Sequence, residues 1–315
     1  MKKISIVVPV YNEEDNIVHF YKTICDVMEK QAYAFELIFV DDGSADHSRV
    51  LIAGLESQDS RVQGILLARN FGHQLALTCG LDHADGAAVI TMDGDMQHPP
   101  ELLPALIKKW EEGYDVVQTI RKTTEGVSWM KKMTSKYYYK MLNKISEVPV
   151  QEGGSDFRLM DRKVVLVFRQ YREHARFIRG MIGAMGYRQA QFEFVAPKRF
   201  AGLSKFSPRK MIHFALDGIM SYSRMPLRFG LYGGMLSGVI CLLLILHVLF
   251  IKFFTEDAVP GWATTTVIVL FFCGVQLSIL GIIGEYIGRI FEEVKQRPLY
   301  LIERGKPEIQ QKEEV

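Results

Sequence analysis

Ala87-Ala88-Val89-Ile90-Thr91-Met92-Asp93-Gly94-Asp95-Met96-Gln97-His98-Pro99-Pro100 is the stretch on which the reading of this chain turns. Its first six residues form an apolar run of strand type. Two carboxylates follow, one residue apart. Side chains alternate along a strand, so Asp93 and Asp95 leave its carboxyl end on the same side. Two hard oxygen donors on one side suit Mg²⁺ or Mn²⁺ when phosphate oxygens and water complete the shell. The carboxyl edge is also where open α/β sheets bind ligands. A polar turn after a strand has the same composition, so the surroundings decide.

Outward from this stretch, apolar runs alternate with helical patterns. Strands are predicted at Ile4–Val10, Glu36–Val40, Gln63–Leu67, Ala87–Met92 and Asp115–Ile120. Helices are predicted at about Glu13–Lys30, Asp46–Glu56, His73–Ala84 and Pro100–Glu112. This βαβα order implies a mostly parallel sheet covered on both faces. Ser44 or Asp46 can cap the second helix, and Pro100 suits a first helical turn. Met1-Lys2-Lys3 and the apolar run after it resemble the start of a signal peptide. The run is too short, and Tyr11-Asn12-Glu13-Glu14-Asp15 ends it without a small-residue cleavage site, so it is read as a first buried strand.

With 38 Lys and Arg against 36 Asp and Glu, the net charge is +2, which gives no sign of a general nucleic-acid binder. Cys25, Cys79, Cys241 and Cys273 are scattered, without a C-x-x-C pair or metal-ligand spacing. Free thiols in a reducing compartment are expected.

The last third changes character. No Asp, Glu, Lys or Arg occurs from Phe229 to Ile251 or from Ala258 to Gly284. Each run exceeds the roughly 20 apolar residues that span a bilayer. A two-span hairpin is expected over 229–290, with spans at about 229–252 and 262–286. Arg209, Lys210, Arg224 and Arg228 flank the first span, and Arg289, Lys295 and Arg297 follow the second. The positive-inside rule places both ends in the cytoplasm. The other domains expected are a cytoplasmic one over 1–205, a juxtamembrane amphipathic helix over 206–228 and a tail over 291–315. Ser128–Lys144 mixes aromatic residues with five lysines. It fits an interfacial helix on anionic lipid, or an ordinary solvated helix with a basic face.

Four segments are predicted at the carboxyl edge of the sheet: Pro9-Val10-Tyr11-Asn12-Glu13-Glu14, Asp41-Asp42-Gly43-Ser44, Asp93-Gly94-Asp95-Met96-Gln97 and Thr119-Ile120-Arg121. Carboxylates there can accept from ribose hydroxyls or a base N–H, and an arginine can pair with phosphate. Together with Ser155-Asp156-Phe157-Arg158-Leu159-Met160, Arg199-Phe200-Ala201-Gly202-Leu203-Ser204-Lys205 and Gly284-Glu285-Tyr286-Ile287-Gly288-Arg289, this ordered set resembles the family 2 glycosyltransferases of GT-A fold. Within them it is most similar to the polyprenyl-phosphate enzymes, the bactoprenol glucosyltransferases and dolichol-phosphate mannose synthase.

The resemblance implies roles. Pro9, Tyr11, Glu13, Val40 and Asp42 would contact the nucleoside of a nucleotide sugar, and Gly94 would lie among these donor-binding residues. Asp93, Asp95 and Gln97 would hold Mg²⁺ or Mn²⁺ with the diphosphate. Arg121 would contact donor phosphate or sugar. Asp156, with Asp95, would be catalytic, as base or orienting group. Arg199 and Lys205 would grip the acceptor phosphate. Ser155 stands where family members often carry glycine, which suggests a slightly stiffer loop. His98, beside Pro99, is read as a turn or supporting residue, and His73 lies near the site. Glu285 is read as pairing with Arg289 one turn on. The glycines at 233, 234, 238, 281, 284 and 288 permit close helix approach.

The expected activity is inverting transfer of one sugar, UDP-glucose as donor, to polyprenyl (undecaprenyl) phosphate at the cytoplasmic membrane face. The product would serve cell-envelope glycosylation. A homo-oligomer and a flippase are the protein partners considered. Two other readings stand beside it. One is a non-catalytic membrane anchor that binds sugar nucleotide or recruits a flippase. The other is a processive polysaccharide synthase, against which the missing Q-x-x-R-W motif argues.

Overall fold

The computed structural model describes residues 2–122, 133, 154–195, 225–254 and 261–304. They fall into two compact units, one from residues 1–211 and 298–315, the other from 212–297.

The first unit is built on one eight-stranded sheet. Its strands are β1 (Lys3–Val10), β2 (Ala34–Asp41), β3 (Val62–Leu67), β4 (Ala88–Thr91), β5 (Val116–Lys122), β6 (Gly154–Asp161), β7 (Gln189–Val195) and β8 (Ile302–Arg304). The helices are α1 (Glu14–Met28), α2 (Ser48–Gln58), α3 (His73–His83), α4 (Leu103–Glu111), α5 (Arg162–Phe168) and α6 (Ile178–Ala184). The strand order is β7-β5-β6-β4-β1-β2-β3-β8. Strands β1 to β4 run parallel, while β6 and β8 run against them. Strands β5 and β7 follow the direction of β4. The sheet is therefore mostly parallel, as the alternation implies.

β1 and β2 are almost wholly buried, so they read as continuous apolar runs rather than as alternation. Helix α1 buries Ile17, Phe20, Ile24 and Met28, one stripe at helical spacing, and carries Glu14 and Asp15 in its first turn. Each such side chain contributes about 1.5–3 kcal/mol when fully buried. Asp46 Oδ1 accepts from the N–H of Ser48 at the start of α2. Pro100 opens a short 3₁₀ turn that leads into α4.

Three strands, β6, β7 and β8, lie outside the five expected from sequence. β6 holds the Ser155–Met160 motif, which carries no secondary-structure expectation from sequence. It enters between β4 and β5 in the antiparallel sense, so its first residues lie at the carboxyl edge of β4. β8 falls in the segment expected as a tail. Leu299 and Tyr300 are buried, Tyr300 donates to Asp82, and Ala68 N–H donates to Leu301 O at 2.9 Å. β8, Ile302–Arg304, is too short to show the alternation that announces a strand.

The second unit is a pair of packed helices, α7 (Met225–Phe254) and α8 (Trp262–Val294). A side chain placed at Gly230 or Gly234 would meet Ile279 at 3.7–3.8 Å. The glycines at 233, 238, 281, 284 and 288 face open space, so close approach uses fewer glycines than their spacing suggested. Arg289 donates to Glu285 at 3.1 Å, one turn apart. Leu231, Leu236, Leu243, Val267, Leu277 and Leu280 are exposed. Among the described residues, one stretch, Val267–Val294, is long and apolar enough to cross a membrane, and Gly230–Leu244 is a shorter apolar stretch. Of the two helices that lie where spans are expected from sequence, one meets that test among the described residues, so a two-span hairpin is not established.

Candidate active site

The loops after β1 and β2 are sewn together. The N–H of Asn12 donates to Ser44 Oγ at 2.9 Å, and that of Glu13 to Ser48 Oγ at 3.0 Å. Ala45 N–H donates back to Asn12 Oδ1. Asn12 sits at φ 52°, a value that asparagine tolerates better than most residues. Tyr11 stands out from this turn, 39% exposed. Pro9 and Val40 are register partners on adjacent strands.

Asp41 and Asp42 lie buried beneath. Asp41 Oδ2 accepts from Ser44 N–H and from Arg49 Nε at 2.9 Å. Asp42 accepts from the N–H of Phe71 at 2.6 Å and of Gly72 at 2.9 Å, one on each oxygen. Burial pushes the Asp42 carboxyl up, with backbone donors opposing. Gly43 adopts φ 73°, and a Cβ there would come within 2.5 Å of the Arg69 backbone. Only glycine lets these two loops touch.

The loop after β4 carries the paired carboxylates. Asp93 is partly exposed and Asp95 is buried. Asp95 Oδ1 accepts from the N–H of Gln97 at 3.1 Å. Arg121, the penultimate residue of β5 rather than a residue beyond it, reaches Gln97 Oε1 at 3.4 Å. Gly94 packs toward Val8. Among the described residues no cluster of three or more His, Cys, Asp or Glu is arranged to hold a metal ion. A pair of carboxylates fits a cation whose remaining ligands are phosphate and water oxygens.

Asp156 lies across from this pair, because β6 runs antiparallel and Thr91 pairs with Arg158. Its carboxylate is held by cations. Arg179 donates to both oxygens, at 3.0 and 3.1 Å, and Arg158 to Oδ1 at 2.9 Å. His73 Nε2 lies 3.6 Å from Asp156 and 3.5 Å from Asp93. Despite its burial, Asp156 is kept well below the usual carboxylate range by Arg179, His73 and Arg158. Burial lowers Arg158 to about 10, with Asp156 opposing. Its Nε and Nη1 find no hydrogen-bond partner among the described residues. Partial desolvation pulls His73 down, although its side chain is 42% exposed, but Asp93 and Asp156 more than reverse this and push it up to about 9.

The structure therefore joins Asp93, Asp95, Gln97 and Arg121 in one corner, with Asp156 facing them. Arg199 and Lys205 lie outside the described residues, as do the segments 206–224 and 128–144 apart from Met133. The loop between β3 and α3 joins the four expected ones and brings His73, read from sequence as lying near the site, beside Asp93 and Asp156. Arg179 had no signal in the sequence: it is 23 residues from Asp156, and only the fold joins them.

The profile of glycosyl transferase family 2 matches residues 5–167, more than half of the chain. This chain belongs to glycosyl transferase family 2. The matched segment of the enzyme holds β1 to β6, both carboxylate corners and Asp156; Arg179 and the helix pair lie beyond it. An uncharacterised glycosyltransferase of Bacillus subtilis is 42% identical over 96% of this chain and 93% of its own length. The bactoprenol glucosyl transferase of Shigella phage SfII is 41% identical over 97% of this chain and 100% of its own. A prophage homologue of that enzyme in Escherichia coli is 39% identical over 96% and 99%. Among solved structures, mannosyl-3-phosphoglycerate synthase of Rubrobacter xylanophilus matches with TM-score 0.50 and 16% identity, over 69% of this chain and 71% of its own. That likeness concerns the fold, which is GT-A-like.

Proposed function

We propose that this glycosyltransferase moves a single sugar from a UDP-sugar to polyprenyl phosphate at the cytoplasmic face of a membrane, with inversion. UDP-glucose is the first donor to test and UDP-N-acetylglucosamine the second; undecaprenyl phosphate is the acceptor. Bactoprenol glucosyl transferases aligned along nearly the whole chain support the acceptor class. The exposed apolar surface of α7 and α8 supports membrane attachment. We read these helices as a two-span hairpin with both ends cytoplasmic, on the strength of the flanking Lys and Arg.

The observation that carries the reading is the pairing of two opposed corners on one sheet edge. Asp93 and Asp95, with Gln97, would hold Mg²⁺ or Mn²⁺, which when bound offsets charge on the departing diphosphate. Pro9, Tyr11, Glu13 and Val40 border the nucleoside, and Asp42 acts on it by holding the Phe71–Gly72 backbone. A lipid phosphate oxygen attacks the anomeric carbon; the bond from that carbon to the diphosphate oxygen breaks, and the nucleoside diphosphate leaves with the electron pair. The nucleophile requires little deprotonation, since a phosphate monoester has its second pKa near ~6. Asp156, bound on both oxygens by Arg179, is a poor base and serves as an orienting group between donor and acceptor. Arg121 would contact the donor phosphate or sugar, and Arg199 with Lys205, outside the described residues, would grip the lipid phosphate.

Purified full-length enzyme in liposomes containing undecaprenyl phosphate tests this with a panel of labelled nucleotide sugars. Transfer from UDP-glucose to the lipid supports the reading. Label that stays in nucleotide sugar with every donor overturns it.

A further inference from the structure

His98 stands at the end of the loop that carries Asp93, Asp95 and Gln97. The backbone N–H of Asp93 donates to its Nδ1 at 2.8 Å. An amide nitrogen can only donate, so Nδ1 bears no proton and the ring N–H is at Nε2. That N–H donates to Ser155 Oγ at 2.7 Å. Ser155 Oγ also accepts from Phe157 N–H at 3.2 Å, and Gln118 Nε2 donates to Ser155 O at 2.6 Å. The imidazole is buried, stacked on Phe157 at 5.1 Å with Phe194 against its edge.

The position of this link matters. The ladder between β4 and β6 ends at the pair Thr91 and Arg158. Beyond it, coupling between the two chains passes to side chains: Thr91 Oγ1 donates to Asp156 O, and His98 donates to Ser155. The loop itself turns tightly, with Met96 at φ 60°. A short loop of this kind holds a carboxylate pair in one place only if its ends are fixed.

We propose that Ser155 and His98 are positioning residues: their hydrogen bond ties the Asp93–His98 loop to the strand carrying Asp156 and so sets where a divalent cation and diphosphate would sit. This rests on the metal-bound nucleotide of the proposed function. It gives the Ser155 hydroxyl a task that glycine cannot perform.

The test is Mn²⁺ binding to the full-length enzyme in the presence of UDP, read from the electron paramagnetic resonance of free Mn²⁺. Outer-shell partners of metal ligands affect affinity about 10–100-fold, so Ser155→Ala should weaken Mn²⁺ binding about 10-fold. Ser155→Thr, which keeps the hydroxyl, should restore it. His98→Phe keeps the stacking and loses the hydrogen bonds. Adding Ser155→Ala to it should weaken binding little further, because the two act as one unit. The KM for lipid phosphate should change less than about two-fold in Ser155→Ala. Wild-type Mn²⁺ affinity in Ser155→Ala overturns the assignment. So do additive effects, or a KM for lipid phosphate that moves as far as the metal affinity, which marks a merely structural residue. Asp95→Asn is the control: if it binds Mn²⁺ as wild type does, the metal reading falls and this inference with it. If it does not, and Ser155→Ala does, only the inference falls.

Discussion

Two groups of carboxylates occupy the same sheet edge and are held in opposite ways. Asp41 and Asp42, at the end of β2, accept from the backbone N–H groups of Ser44, Phe71 and Gly72, with Arg49 as a charged partner of Asp41. Asp156, facing the end of β4, is gripped by Arg158, Arg179 and His73. The first group shapes backbone. The second keeps charge in place, and Asp93 beside it remains partly exposed to a ligand. An acidic residue after a strand therefore does not by itself mark ligand contact; what its oxygens accept from decides.

If the corner after β4 is where charge does the chemistry, Asp95→Asn should lower kcat/KM most, by roughly 10²–10³-fold, the scale of losing one strong electrostatic group. Metal-dependent nucleotide binding should weaken with it. Steady-state kinetics and a Mn²⁺ titration check both.

Arg179→Ala comes next. It removes the two bonds that Arg179 makes to the Asp156 carboxylate, so kcat should fall about 10–100-fold with UDP affinity less changed. An equal loss of UDP affinity would move Asp156 to the donor side. Asp156→Ala is a blunter probe, because it strands buried Arg158, at about 3–5 kcal/mol.

Arg199→Ala should raise the KM for lipid phosphate about 10-fold, more than the roughly five-fold that an exposed ion pair worth about 0–1 kcal/mol allows. Nucleotide affinity should change less. Lipid-phosphate kinetics that stay unchanged while nucleotide affinity falls would assign that loop to the donor.

In the backbone-shaping corner the effects should be smaller and fall on folding and donor KM together. Asp42→Asn replaces one acceptor of the Phe71–Gly72 pair by a donor, at about 1–3 kcal/mol. A melting curve reads it. Unchanged stability with lost UDP binding would make Asp42 a ligand contact after all.

The smallest effect concerns His73. Its folded pKa of about 9 lies above the ordinary 6.5. Its charge therefore adds stability that is fully present below pH 6.5 and lost as pH rises through 9. In chelator, His73→Gln should flatten the stability profile over that window; an unchanged slope would mean that the imidazole is neutral there.

The parallel half of the fold was legible because its signals are local. Strands β1 to β4 are short apolar runs with a turn after each, and Asp93, Asp95 and Gln97 follow one another in sequence. What escaped was carried by distance and direction. The mixed sequence of β6, Gly154–Asp161, gives no sign that it enters the sheet reversed, yet that reversal places Asp156 opposite Asp93. Arg179 and β8 reach their places only through the finished sheet. Asp42 was recognised at the right edge, but its bonds to the Phe71–Gly72 backbone depend on the loop that Gly43 lets approach.

The central claim is that the two corners form one metal-dependent site that passes sugar to a lipid phosphate. The most direct measurement follows ¹⁴C from UDP-glucose into organic-extractable lipid, using the full-length enzyme in liposomes with undecaprenyl phosphate, with Mn²⁺ or with excess chelator. The account predicts labelled lipid with Mn²⁺ and none with chelator or in Asp95→Asn. Equal labelling in chelator, or label that never leaves the aqueous phase, would contradict it.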